Sequence, residues 1–230
     1  MEFSLDQKII HQLLLRSNVE WNIGLYHGKM GLILFFAHYF ELTKHPVYRN
    51  TADELMEELM EEIHTELPVD FSSGLSGIGW GMEYLIQKGL VEGDSLEVCE
   101  EIDKKIMEKD PKRMTDFSIE KGLGGIIHYV LFHIKGVHSQ HSELPFDETY
   151  LRDLYQAVSN IPRDCILSDE FRSLSVKYSG FYNDRTKIDY LPQLLPIIDD
   201  FEVSAENLNN FPLGLNKGLS GFLLKNLIKN

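Results

Sequence analysis

Two histidines stand where their type and spacing could do chemistry. His27 comes directly before Gly28, and His128 lies six residues beyond Gly122 on a run that reads as a helix. A histidine with an ordinary pKa of ~6.5 can give or take a proton near neutrality, so both are candidate acid–base catalysts. The competing reading for His128 is a core histidine satisfied by hydrogen bonds. His133, His138 and His141 could hold zinc if their segment folded back, but the pattern favours an exposed polar loop following a helix. Asp184, Asp189, Asp199 and Asp200 fall in a segment interrupted by Pro192 and Pro196. It reads as linking structure, with the edge of a cavity as the alternative. The acidic stretch Glu54–Glu62 reads as the solvated face of a helix.

These residues need elements to position them, and the sequence supplies a repeat. His27-Gly28-Lys29-Met30-Gly31, Ser73-Gly74-Leu75-Ser76-Gly77, Lys121-Gly122-Leu123-Gly124-Gly125 and Lys217-Gly218-Leu219-Ser220-Gly221 share Gly-x-x-Gly followed by an apolar residue. The first glycines are 46, 48 and 96 residues apart, so a degenerate copy is expected near residue 170. After each glycine pair the apolar residues recur at three and four, the helix period. Between these helices lie more polar amphipathic ones, expected over Asp53–Glu66, after an Asp94/Glu97 capping pair, and over Thr149–Val158. A first helix is expected from Ser4, with Ser4 and Gln7 as a capping box. No alternating strand pattern competes, so the fold class is all-α. Gly28, Gly31, Gly74, Gly77, Gly122, Gly125, Gly218 and Gly221 could line a shared cavity, leaving helix N-termini open to an anionic or carbonyl group. The competing reading is that they permit tight turns and close packing.

Composition narrows the partners. The 230 residues carry 22 basic and 36 acidic side chains, a net charge of −14, with no local basic patch, so nucleic acid is not an expected partner. Two cysteines, Cys99 and Cys165, make no disulfide framework and fit a reducing compartment. The polar start Met1-Glu2-Phe3-Ser4 lacks a signal-peptide pattern, and no apolar run reaches the ~18 residues of a membrane span. A cytoplasmic, single-domain protein over residues 1–230 is the expectation.

Gly24-Leu25-Tyr26-His27-Gly28-Lys29-Met30-Gly31, Gly74-Leu75-Ser76-Gly77-Ile78-Gly79-Trp80-Gly81 and Gly214-Leu215-Asn216-Lys217-Gly218-Leu219-Ser220-Gly221 resemble the lanthionine synthetase C-like family. The resemblance implies an α/α toroid, an inner ring of helices enclosed by an outer ring, here reduced or incomplete with about five helix pairs. It also implies work on ribosomally made peptides, because family cyclases add cysteine thiols to dehydrated serine or threonine. Zinc, held there by two cysteines and a histidine, activates the thiol. Family cyclases carry one Cys-His pair in a late Cys-His-Gly motif. The comparable tripeptide here is Tyr26-His27-Gly28, in the first repeat, and no metal ligand set can be assembled around Cys99 or Cys165.

The expected function is therefore a non-zinc, non-cyclase family member that binds a peptide or a partner modification enzyme. The alternatives are an active zinc-dependent cyclase and, more weakly, a carbohydrate-active α/α-barrel, which needs paired carboxylates that successive repeats do not offer. An open helical solenoid also overlaps the repeat length, although glycine at each inner-helix start favours the toroid. Apolar faces at the ends of an unclosed ring make a homodimer the expected assembly.

Overall fold

The computed structural model describes residues 3–63, 66–139, 141, 143–162 and 165–229, and no strand occurs among them. The helices are α1 (Leu5–Arg16), α2 (Lys29–Thr43), α3 (Pro46–Glu62), α4 (Leu75–Gln87), α5 (Ser95–Met107), α6 (Leu123–His138), α7 (Glu148–Ser159), α8 (Asp169–Asn183) and α9 (Leu219–Lys229). None is long and apolar enough to cross a membrane. The all-α expectation holds.

Local chemistry sets the helix ends. Ser4 Oγ accepts the Gln7 N–H at 3.2 Å while Gln7 Oε1 accepts the Ser4 N–H at 3.0 Å, closing the expected capping box on α1. Asp94 caps α5 by accepting the Leu96 N–H at 2.9 Å. The first outer helix begins at Pro46 rather than Asp53, because His45 caps it through Val47 N–H and proline fits its first position. It ends at Glu62, and His64 and Thr65 of the expected Asp53–Glu66 span lie outside the described residues, as do Met1, Glu2 and Asn230. The degenerate repeat expected near residue 170 is α8, where the Ser168 hydroxyl caps Phe171 N–H in place of a glycine start.

The chain forms two compact units, one of Met1–His64 with Gln193–Asn230, the other of Thr65–Pro192. In the first, α2 packs against α3 and α9; in the second, α4 packs against α5 and α6, and α8 against α6 and α7. The glycine-started helices are the buried ones: α4 is buried continuously from Leu75 to Leu85, and α2 from Lys29 to Ala37. The intervening helices bury one stripe, such as Ala52, Leu55 and Leu59 of α3.

Each glycine step repeats one backbone geometry. The first helical N–H, of Lys29, Leu75, Leu123 and Leu219, donates to the carbonyl seven residues upstream, in Asn22, Pro68, Asp116 and Pro212, at 2.7–2.9 Å. The loop thus folds back over the helix start. A Cβ on Gly28, Gly74 or Gly122 would come within 2.1–2.3 Å of a carbonyl oxygen in that loop. Steps then join by a common rule. Within the second unit the Ser72 N–H donates to the Glu120 carbonyl at 2.9 Å, and within the first the Asn216 N–H donates to the Tyr26 carbonyl at 2.9 Å. All four residues stand two before their first glycine. The second glycine of the receiving step seats the neighbour: a Cβ on Gly125 would lie 2.5 Å from Phe71 Cβ, and one on Gly31 3.0 Å from Leu215 Cγ.

Residues between α8 and α9 are irregular, with short 3-10 turns at Leu195–Ile197 and Leu208–Asn210. Basic side chains hold this stretch by its carbonyl oxygens. In the second unit Lys135 Nζ donates to Tyr190 at 2.6 Å; in the first, Lys225 Nζ donates to Ile198 at 2.9 Å and Arg16 to Phe211 at 3.2 Å.

Candidate functional site

The structure treats the predicted residues differently. His27 is exposed just before α2, its ring edge-on to Tyr26 with centroids 6.2 Å apart. His128, six residues past Gly122, is mostly covered, its side chain 16% exposed. The two histidines belong to different units. The predicted glycines are buried against their own loops and neighbouring steps, and the first helical N–H of each step is already committed to a loop carbonyl. Two surface cavities, of about 690 Å³ in the first unit and 400 Å³ in the second, include neither these glycines nor either histidine; Cys165 edges the smaller one.

His128 is held at both ring nitrogens. Trp80 Nε1–H donates to the Tyr190 hydroxyl oxygen at 2.7 Å, and that hydroxyl lies 2.7 Å from His128 Nδ1. An indole only donates, so the phenol oxygen accepts and its own proton points to Nδ1. Nε2–H then donates to Glu170, 3.1 Å away. Phe71 stacks on the imidazole at 5.3 Å. Tyr190 is 2% exposed, and burial pushes its hydroxyl pKa up, keeping it a neutral donor. Trp80 stands six residues past Gly74, as His128 does past Gly122, so the repeat places both on one turn of adjacent inner helices. A histidine of fixed orientation, backed by a phenol and facing a half-exposed carboxylate, can move a proton at Nε2.

A second polar cluster was expected as loop, and the structure corrects that. His133 is inside α6 and fully buried, His138 is the last residue of α6, and Gln140 lies outside the described residues. His141 bonds Asp94 at 2.9 Å. His133 Nδ1 meets Glu83 at 2.7 Å and Nε2 meets Asp103 at 2.9 Å, linking α6 to α4 and α5. Tyr129 stacks on the imidazole at 5.3 Å and donates to Asp103 at 2.6 Å; Gln87 and Ser95 donate to Glu83 at 2.6 and 3.1 Å. Burial opposes the imidazolium, but the hydrogen bonds and charges of Asp103 and Glu83 win, and the His133 pKa rises to about 9. Burial raises the Asp103 carboxyl as well. Glu83 is fully buried and Asp103 only 3% exposed, so the cluster is closed to substrate.

Glycines admit this cluster. A Cβ on Gly79 would lie 2.5 Å from the Tyr129 ring, and one on Gly136 1.8 Å from Glu83 Oε1. Glycine inside a helix costs about 1 kcal/mol relative to alanine, so its presence at both places was a usable sequence signal.

The family model described as lanthionine synthetase C-like protein matches residues 19–183, more than half of the chain. The protein belongs to the lanthionine synthetase C-like family, and its described residues are all-helical with four glycine-stepped helix starts. Among solved structures the chain is similar to one named nisin cyclase, at 17% identity and a TM-score of 0.40, covering 77% of this chain and 56% of that one. The chain thus spans little more than half the length of that relative. No curated protein matches.

The zinc implied by the family can be tested against the donors present. Cys99 is fully buried in α5, and burial, then Asp103 and Glu83, push its thiol well above the usual range, the opposite of what a thiolate ligand needs. Among the described residues no three His, Cys, Asp or Glu side chains converge as a metal site. These residues do not fit zinc.

Proposed function

We propose that this chain serves peptide modification in the cytoplasm as a family member that binds a peptide or a partner modification enzyme, with residues 1–230 as one domain. The observation that carries this reading is the family match over residues 19–183. The buried, protonated Cys99 and the Tyr26 that stands where a Cys-His-Gly motif has cysteine support a role other than zinc-activated thiol addition. A homodimer belongs to the same reading, since Leu15, Val19 and Trp21 are exposed by 62, 62 and 89%.

The test combines two measurements. Elemental analysis on protein purified without chelators should give far less than one zinc per chain. A peptide containing dehydrated serines and a cysteine should bind in a titration and be recovered unchanged. About one zinc per chain together with thioether formation would overturn the reading.

One observation favours a second reading with retained proton-transfer chemistry. His128 is oriented by Tyr190 and Glu170 while still reaching solvent. In that reading His128 is the catalytic group and His27 a further candidate. Turnover of any peptide, lost in His128→Gln, would establish it.

A further inference from the structure

The 690 Å³ cavity of the first unit lies between α1, the Tyr39 and Tyr48 rings and the chain around Leu208. Its size is that of ordinary ligand pockets. Its aromatic wall is rigid. Tyr39 and Tyr48 meet edge to face at 4.6 Å, and each is backed by a fully buried ring, Phe35 at 5.4 Å and Phe36 at 6.4 Å. Both tyrosines remain half-exposed, and their hydroxyls have no hydrogen-bond partner among the described residues.

The rim is set by α1. Lys8 and His11, one turn apart, both line the cavity, and neither has a side-chain partner among the described residues. Glu206 is the single carboxylate among the lining residues, beside Lys8 and His11, and burial, Tyr48 and the charge of nearby Asp6 together raise the Tyr39 hydroxyl pKa.

We infer that this cavity binds a peptide segment in which an apolar or aromatic side chain adjoins a carboxylate. The side chain packs on the Tyr39–Tyr48 pair, the carboxylate meets Lys8 and His11, and the tyrosine hydroxyls donate to peptide carbonyls. The inference rests on the peptide-binding reading above and adds a site and a chemistry to it.

Two blocked, fluorescent hexapeptides test it on the intact chain, acetyl-Gly-Glu-Phe-Leu-Glu-Gly-amide and the same peptide with lysine for each glutamate. Fluorescence anisotropy should show the glutamate peptide binding about fivefold or more tightly than the lysine peptide, weakening with added salt. Lys8→Glu, a change on the solvent side of α1, should abolish or reverse that preference, and Tyr39→Phe should weaken both peptides without changing their order. Equal binding of the two peptides by the native chain, or a preference that survives Lys8→Glu, would overturn the site. If the dehydrated peptide binds while neither hexapeptide does, this site is wrong and the broader reading stands. If none of the three binds, both fall.

Discussion

The two units tie inner to outer helices in opposite ways. In the first, Lys29 at the start of α2 reaches Glu58 and Glu62 of α3, at 2.8 and 2.5 Å, and both carboxylates remain more than 40% exposed. In the second, α4, α5 and α6 meet at a histidine between two carboxylates, all buried. The glycine steps beneath are the same: equivalent N–H groups close on carbonyls seven residues back, and equivalent loop positions pair. The turn beyond the step differs. Six residues past the first glycine stand Leu34 and Leu224 in the first unit, but Trp80 and His128 in the second. The step is scaffold, and polar chemistry is grafted one turn further in.

The largest effect expected from breaking this contrast comes from His133→Ala. It leaves Glu83 and Asp103 buried without their cation and should cost about 3–5 kcal/mol in urea unfolding of the second unit. Lys29→Met, which removes a buried ammonium but leaves its two carboxylate partners in solvent, should cost no more than about 1 kcal/mol. Equal losses would mean that burial does not distinguish the two.

Acidity sharpens the same comparison. The folded pKa of His133, about 9, exceeds an unfolded value near 6.5, so its contribution is full below pH ~6.5 and is lost as pH rises through about 9. The elevated Asp103 carboxyl also favours the protonated cluster. Unfolding free energy of the second unit should fall between pH 6.5 and 9 by on the order of 3 kcal/mol. The His133→Ala chain should show a flatter profile over that window; an unchanged slope would remove the cluster as its source.

A smaller effect asks whether the steps are equivalent. Gly125→Ala and Gly221→Ala would each drive a Cβ to within about 2 Å of the carbonyl six residues upstream, 2.3 Å at Ile119 and 1.8 Å at Leu215. Each should cost about 1–3 kcal/mol. A marked difference between them would show that one step is looser than the other.

Legibility in the sequence followed the range of the interactions. Ser4 and Gln7, three residues apart, announced α1, and the glycine spacing announced four inner helices and the place of α8. His133 was obscure because its partners lie 50 and 30 residues away, while its neighbours His138 and His141 suggested a polar loop. Tyr190 was obscured by Pro192 and Pro196, which mark the segment as irregular without revealing that one of its rings enters the α4–α6 groove. The cavity beside Tyr39 and Tyr48 joins α1 to residues near Leu208, a juxtaposition with no local signature.

Gly79 and Gly136 have a consequence for how this chain can change over time. Each leaves room that Tyr129 or Glu83 already fills, so a larger residue at Gly136 requires the Glu83 carboxylate to leave its place beside His133 or to be shortened. Shortening Glu83 first strands His133 beside a single carboxylate. Replacing this cluster by an apolar core like that of the first unit therefore requires Gly136, Glu83 and His133 to change together.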